Sequence, residues 1–318
     1  MTDGVFIGVD TSNYTTSIGI IESGGGLIAN LKLPLPVKSG ERGLRQSDAV
    51  FAHIKNLPEL LVEVKKLVGD KKILGVGVST RPRNKEGSYM PCFLSGVNAA
   101  TALSVASGAP LFEFSHQCGH IMAAIYSAGG EIPTEFAAFH ISGGTTELVL
   151  AKWTGRDFLC STLGGTGDLN AGQIIDRIGV YMGMPFPSGK YIEEAALKNQ
   201  QTIPKKRPSV KGMCANLSGL ENIAVKLYDE TKDTSLTAAF VLEYLGTAII
   251  SVCENAQKEI GDIPFVFAGG VMSNSIIKKR LMAKFNALFA EPLLSADNAV
   301  GIAVLAKNAY KYEKGTEV

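Results

Sequence analysis

The chain is short of the residues that most metal and disulfide scaffolds are built on. It has four histidines, and its five cysteines (Cys92, Cys118, Cys160, Cys214, Cys253) include no C-x-x-C pair. An odd, dispersed set of thiols argues against a disulfide framework and for a reduced, cytoplasmic setting. Charge of either sign is also not in excess: 31 Lys and Arg against 30 Asp and Glu leave a net +1. The electrostatic footprint of a nucleic-acid-binding domain is therefore missing, and any RNA contact would need a local patch or a partner protein. No GxxxxGK[ST] occurs, no G-x-G-x-x-G follows the first strand, and no H-E-x-x-H is present. These absences exclude a P-loop, a dinucleotide-binding Rossmann unit and a zincin-type peptidase. No apolar run reads as long enough to cross a membrane, and the chain opens on a strand-like segment without a signal-peptide pattern. What is present is a hydrophobic content of 46% over 318 residues. That suffices for two domains or one large two-lobed unit.

Two of the four histidines, His116 and His120, stand four residues apart behind Ser115, a plausible helix N-cap. On a helix this spacing shares a face, with Cβ atoms roughly 5–6 Å apart, and two neutral imidazoles there can hold one divalent metal ion. The alternative is a pair of ordinary half-buried histidines, because the spacing alone supplies no third ligand.

The segment 5–10 reads as a strand ending in Asp10, followed by a hydroxyl-rich turn at 11–16 and a returning strand at 17–21. Such a turn offers N–H and O–H groups to a phosphate, and the acid can hold a metal or a water. A strand at 27–33 and a glycine-containing loop at 38–46 precede a helix to residue 68, which Pro58 either kinks or divides. A buried parallel-type strand at 73–79 leads into a charged stretch. Its Arg81, Arg83 and Lys85 either bind an anion or form a solvated loop. A helix at 93–107 and a strand at 110–114 lead to the histidine pair. A second strand–turn–strand follows at 136–151, with Ser142-Gly143-Gly144-Thr145 at its turn. The strand at 159–163, a glycine-rich turn at 164–168 and a helix at 171–182 carrying Asp176 come next. A rigid turn at 185–189 and a polar loop at 198–216 precede two helices, at 220–228 and 236–260. A strand at 264–268 runs into Gly269-Gly270, with Ser273 as candidate N-cap of the next helix. Asp297 falls at the start of the closing helix.

Two hairpins with polar turns, each followed by strand–helix units, predict an α/β fold of two similar lobes. This is the two-lobed actin-like ATPase (ASKHA) architecture: duplicated mixed-sheet domains with a nucleotide and metal cleft between them. The expected division is 1–112 for the first lobe, completed by the last helix at about 298–314, and 113–297 for the second. Six motifs in order carry a closer resemblance: His116-x-x-x-His120, Ile141-Ser-Gly-Gly-Thr, Gly167-Asp168 through Asp176-Arg177, Pro187-Ser-Gly189, Gly269-Gly-Val-x-x-Asn274 and Ser295-Ala-Asp297-Asn-Ala. With these the chain resembles the TsaD (Gcp, glycoprotease-like) family over nearly its whole length.

The resemblance implies one divalent metal, iron or zinc, on His116, His120 and Asp297. It implies contacts from Ser142, Gly143, Gly144, Thr145, Asp176, Gly189 and Asn274 to an adenine nucleotide or acyl-adenylate. The implied reaction moves a threonylcarbamoyl group from threonylcarbamoyl-AMP to N6 of adenosine 37 in tRNA, with partner proteins and either a homodimer or a heteromeric complex. The departures fall in the parts expected to touch chemistry. Tyr14 and Thr15 stand where the family carries acids, and Ser79-Thr80-Arg81-Pro82-Arg83-Asn84 replaces a Thr-x-Gly-Pro-Gly turn. Thr145, Gln173 and Cys118 stand where the family has His, Glu and Glu. These changes leave open a divergent member with a related acyl or carbamoyl transfer, or a catalytically altered nucleotide- and metal-binding paralogue with a regulatory or structural role.

Overall fold

Every residue of the first strand, β1 (Val5–Ser12), is buried, which marks it as the centre of a sheet covered on both faces. β2 (Thr15–Glu22) pairs antiparallel with it, and β3 (Leu27–Pro34) pairs antiparallel with β2. The helix α1 (Gln46–Val68) runs through Pro58 without a break, burying Ala49, His53, Leu57, Leu60, Val64 and Val68 along one stripe. It stops at Gly69, whose φ of 59° suits a residue without Cβ. β4 (Ile73–Arg81) crosses over to pair parallel with β1, and after α2 (Phe93–Ser107) the strand β5 (Leu111–Ser115) pairs parallel with β4. α3 (His116–Ala128) starts at once, its N-cap Ser115 accepting from Cys118 N–H. The sheet order is β3-β2-β1-β4-β5. The computed structural model describes residues 3–12, 14–36, 44–295 and 298–315.

The second sheet repeats the plan. β6 (Glu135–Ile141), β7 (Thr146–Trp153) and β8 (Phe158–Thr166) form a meander. α4 (Ala171–Tyr181) and α5 (Gly189–Ala196) follow, then two short strands, β9 (Ser209–Lys211) and β10 (Cys214–Asn216). These two strands lie inside the stretch expected to be loop; at three residues each they are too short for a periodicity signal. α6 (Ser218–Thr231) and α7 (Thr234–Ile260) lead to β11 (Phe265–Ala268), which pairs parallel with β6. A 3-10 turn at Gly270–Ser273, α8 (Ser275–Met282), β12 (Ala287–Phe289), α9 (Pro292–Ser295) and α10 (Val300–Glu313) complete the chain. The order β12-β11-β6-β7-β8-β10-β9 holds the first sheet's pattern, a three-stranded meander flanked by two parallel strands, extended by β10 and β9.

The chain divides into two units, Met1–Ile132 with Trp153–Leu159 and Ala296–Val318, and Pro133–Lys152 with Cys160–Ser295. The first break falls at 132 rather than at the expected 112, because β5 pairs with β4 and α3 packs against α10 within the first unit. That α10 contact is close. A Cβ on Gly8, Gly19 or Gly77 would strike the α10 backbone between residues 299 and 303, and one on Gly301 would strike the Gly119 carbonyl. In the second unit α7 is the core helix, capped by Asp233, whose side chain accepts from Ser235 and Leu236 N–H. The expectation that no run could span a membrane fails on this helix. Its 27 residues are long and apolar enough by length and composition: an 18-residue window within it has a mean hydropathy of 1.8, and 83% of that window is buried inside the protein. Its hydrophobicity serves packing: Phe240, Leu242, Leu245, Ile249 and Val252 join the apolar cluster beneath the second sheet.

Candidate functional site

In the first unit the site is built on the carboxyl ends of β1, β4 and β5. Asp10 is fully buried near the end of β1. Its Oδ1 accepts from the Ser79 hydroxyl on β4 and from His116 Nδ1, at 2.9 Å, on α3. A carboxylate at Nδ1 draws the ring proton there and leaves Nε2 as a lone-pair donor. That Nε2 lies 2.9 Å from His120 Nε2. Helical spacing thus brings the two ring nitrogens to one point, and Asp10, 106 residues away in sequence, sets the tautomer. The donor set fits a divalent metal: two imidazoles converging, one oriented by a carboxylate. Among the described residues no group of three or more His, Cys, Asp or Glu could hold a metal ion. Asp297, the third ligand implied by the resemblance, lies outside the described residues.

A second polar chain runs beneath the β1–β2 turn. Asn56 Nδ2 donates to Thr16 Oγ1 at 3.1 Å, and Thr16 Oγ1 is hydrogen-bonded to His53 Nδ1 at 2.8 Å. His53 Nε2 and Ser12 Oγ are buried and have no hydrogen-bond partner among the described residues. Burial pushes the His53 pKa down, against the opposing pull of the Asp10 charge and the Ser12 backbone. Burial, together with the Asp10 charge, also pushes the Cys92 thiol up to about 11, so it is inert as a nucleophile.

The nucleotide-type residues all fall in the second unit, where contacts close them into a ring. The β6–β7 turn is held by Ser142 N–H to Thr145 O at 2.7 Å and Thr145 N–H to Ser142 Oγ at 3.1 Å. α4 starts against this turn: Gly172 N–H donates to Ser142 O, and a Cβ on Gly172 would lie 2.6 Å from Gly143 N. One turn along α4, Asp176 Oδ1 accepts from Ser188 N–H at 2.7 Å, fixing the residue before Gly189. On α5, Glu193 accepts from Ser275 N–H at 2.7 Å, which places the start of α8 and Asn274 alongside. Gly269, at φ +95°, packs on the Ile141 carbonyl and returns the ring to the first turn. A Cβ on Gly143, Gly144, Gly189 or Gly270 would meet nothing within 4 Å. Four glycines bordering open space, three on turns at the carboxyl ends of β6 and β11 and Gly189 at the start of α5, make a cradle that a ligand's phosphate can approach closely. Burial raises the Asp176 pKa, opposed by the Ser188 N–H. Ser188 N–H thus engages one of the two Asp176 carboxylate oxygens.

The sequence profile described as TsaD: tRNA N6-adenosine threonylcarbamoyltransferase matches residues 41–304. The chain belongs to the TsaD family. A protein of that name from Streptococcus suis (strain 05ZYH33) is 28% identical over 330 residues, spanning 98% of this chain and 94% of its own length. Another, from Enterococcus faecalis (strain ATCC 700802 / V583), is 29% identical over 327 residues, spanning 95% and 89%. Solved structures bear on the fold. Full-length HypF in its phosphate- and nucleotide-bound form aligns with a TM-score of 0.60 at 12% identity, covering 99% of this chain and 56% of HypF. The activator of 2-hydroxyisocaproyl-CoA dehydratase from Clostridium difficile with bound ADPNP aligns at 0.51 and 14% identity, covering 98% and 97%. A ROK family glucokinase from Streptomyces griseus in complex with glucose and AMPPNP aligns at 0.51 and 12%, covering 96% and 99%. The fold is the actin-like ATPase fold.

At three places the structure refines the local reading of the sequence. Asn274, not Ser273, caps α8, its Oδ1 accepting from Ile277 N–H at 3.1 Å. Gly164 and Gly165 lie inside β8 rather than in a turn. Asp168 is structural: its carboxylate accepts from Leu217 and Ser218 N–H. Sequence reasoning missed His53, whose signal was a lone polar residue on the buried stripe of α1, and missed the Asp10–His116 bond, which no local pattern announces.

Proposed function

We propose that this TsaD-family protein transfers a threonylcarbamoyl group from threonylcarbamoyl-AMP to N6 of adenosine 37 in tRNA, working with partner proteins. The observation that carries the reading is the Asp10–His116–His120 chain, which orients two imidazole Nε2 atoms toward one point. A divalent metal would be held by His116 and His120, with Asp297 as third ligand, and would act there as a Lewis acid toward the substrate's anhydride oxygens. Asp10 keeps the proton on His116 Nδ1. Ser142, Gly143, Gly144 and Thr145 bind the adenylate through their turn, Gly189 and Asn274 close the cradle, and Asp176 orients the ribose. The N6 amine attacks the carbamoyl carbon, the bond to the AMP phosphate oxygen breaks, and AMP leaves. With Tyr14 and Thr15 in place of acids, the N6 proton passes to the departing phosphate or to solvent, and catalysis rests on positioning.

The test supplies purified protein with enzymatically generated threonylcarbamoyl-AMP and a tRNA reading ANN codons, followed by mass spectrometry of the nucleosides. Threonylcarbamoyladenosine at position 37 is the expected product. Its absence, with the metal bound and partner proteins supplied, would refute the proposal.

A further inference from the structure

The charged loop between β4 and α2 is pinned in a way its sequence does not explain. Asn84, flanked by Arg83 and Lys85, points its amide inward. Nδ2 donates to Phe158 O at 2.9 Å and lies 3.4 Å from Asp157 Oδ2, and Oδ1 accepts from Arg81 Nη2 at 2.7 Å. Arg81 also donates to Thr80 Oγ1, so both of its terminal guanidinium nitrogens are engaged at the end of β4 and the start of the loop. The loop is closed on itself as well: Ser88 Oγ accepts from Arg83 N–H, and Ser88 N–H donates to Lys85 O. Pro82 O accepts from Gln117 N–H at 3.0 Å, the residue after His116.

These bonds fix what remains at the surface. Arg83 and Lys85 flank the inward-turned Asn84 and are exposed, and Arg156, exposed, adjoins the Asp157–Phe158 pair that Asn84 grips. Tyr89 follows Ser88, the residue bonded to Arg83, and is 62% exposed. Asp157 spends its carboxylate on Phe158 N–H and Asn84, so the acid beside Arg156 is turned inward. An exposed large aromatic among three exposed cations and one exposed acid, Glu86, on a loop tied to the first turn of the histidine helix, has the composition of a surface for unstacked bases. A ring accepts a base face, and the cations meet the flanking phosphates. An acidic peptide would use the cations and leave Tyr89 without a role.

We infer that Arg83, Lys85, Arg156 and Tyr89 form a contact surface for a single-stranded RNA loop, Tyr89 stacking on one base while the three cations meet backbone phosphates. The inference rests on the tRNA-directed reading above for its choice of polymer. It goes beyond that reading in placing the contact on the loop that begins with Ser79 to Asn84, the stretch replacing the family's Thr-x-Gly-Pro-Gly turn.

The experiment measures binding of a fluorescein-labelled RNA hairpin with an adenine-containing loop, and of a blunt duplex of the same stem sequence, to the full chain by anisotropy from low to moderate salt. No acyl-adenylate is present. R83A/K85A/R156A should weaken hairpin binding and make the slope of log K against log salt shallower by about 2, from about 0.7 per lost single-strand phosphate contact. Y89A should weaken hairpin binding about 5- to 150-fold, the range for one stacked base, with duplex binding unchanged and Y89F near wild type. All four side chains are exposed, so unchanged melting temperatures confirm intact folding. An unaltered salt slope in the triple variant, or a Y89A effect equal on hairpin and duplex, overturns the inference. A protein that binds RNA in this charge- and Tyr89-dependent way but transfers no threonylcarbamoyl group overturns the proposed function alone.

Discussion

Replacing Asp10 with Asn isolates the electrostatic half of the histidine site from its shape. The amide is nearly isosteric, and its oxygen can still accept from His116 Nδ1, so the ring stays in place and only the charge is lost. A carboxylate behind a ligating histidine typically contributes 10- to 100-fold in metal affinity, equivalent to about 1.4–2.7 kcal/mol. The Asp10 carboxylate is fully buried and engaged by two side-chain donors, so solvent does not screen its effect on the imidazole. D10N should therefore bind Zn2+ or Fe2+ 10- to 100-fold more weakly in a chelator-competition titration. H116A, which removes a ligand outright, should lose binding by more. The same substitution deprives His53 of the charge that props up its pKa, so the His53 imidazole should titrate lower by NMR. Wild-type metal affinity in D10N, with affinity lost in H116A, would refute the claim that Asp10 tunes the ligand. Unchanged affinity in both would remove the metal site.

The glycine ring and the buried imidazole yield two further outcomes. G172A drives a methyl group into the backbone of Ser142 and Gly143, where overpacking costs about 1–3 kcal/mol. It should lower the urea midpoint and weaken binding of a non-hydrolysable ATP analogue. G143A, which meets nothing within 4 Å, should leave the midpoint near wild type, and equal losses in both would dismiss the ring. For His53 the folded-state pKa lies below the unfolded value of about 6.5, so as pH falls the unfolded chain takes the proton first. His53 thus contributes a loss of stability as pH drops from about 6.5 toward its folded pKa, and nothing changes above that window. H53Q keeps a partner for Thr16 without titrating, so its stability profile between roughly pH 7 and 5 should be flatter than wild type. Parallel denaturation profiles would contradict the assignment of a neutral, buried ring.

The duplicated architecture was legible because it is written in local patterns. Two strand–polar turn–strand units at 5–21 and 136–151 became the β1–β2 and β6–β7 hairpins of two sheets with the same strand order. The histidine pair was legible for the same reason, since four-residue spacing on a helix dictates a shared face. The unit boundary was not legible: whether β5 ends one lobe or opens the next depends on its parallel pairing with β4, and strand length carries no sign of partner. Nor was the ring of glycine turns. Each glycine pair could be seen, but Gly172 pressing on Gly143, or Glu193 reaching Ser275 across 82 residues, is a tertiary fact. Asn274 rather than Ser273 capping α8 turned on the extra residue consumed by the 3-10 turn at Gly270–Ser273.

The seat of α10 has a consequence for biosynthesis. Gly8, Gly19 and Gly77 leave a bare track on the first sheet that only a helix backbone fills, and that helix is translated after the whole of the second unit. On the ribosome, β1 to β5 would therefore wait with one face of their sheet uncovered while residues 133–295 emerge and collapse on their own core. The order of folding inverts the order of synthesis. A nascent chain arrested before residue 300 should hold a protected second unit and an aggregation-prone, chaperone-dependent first one, which pulse proteolysis of stalled complexes can read directly.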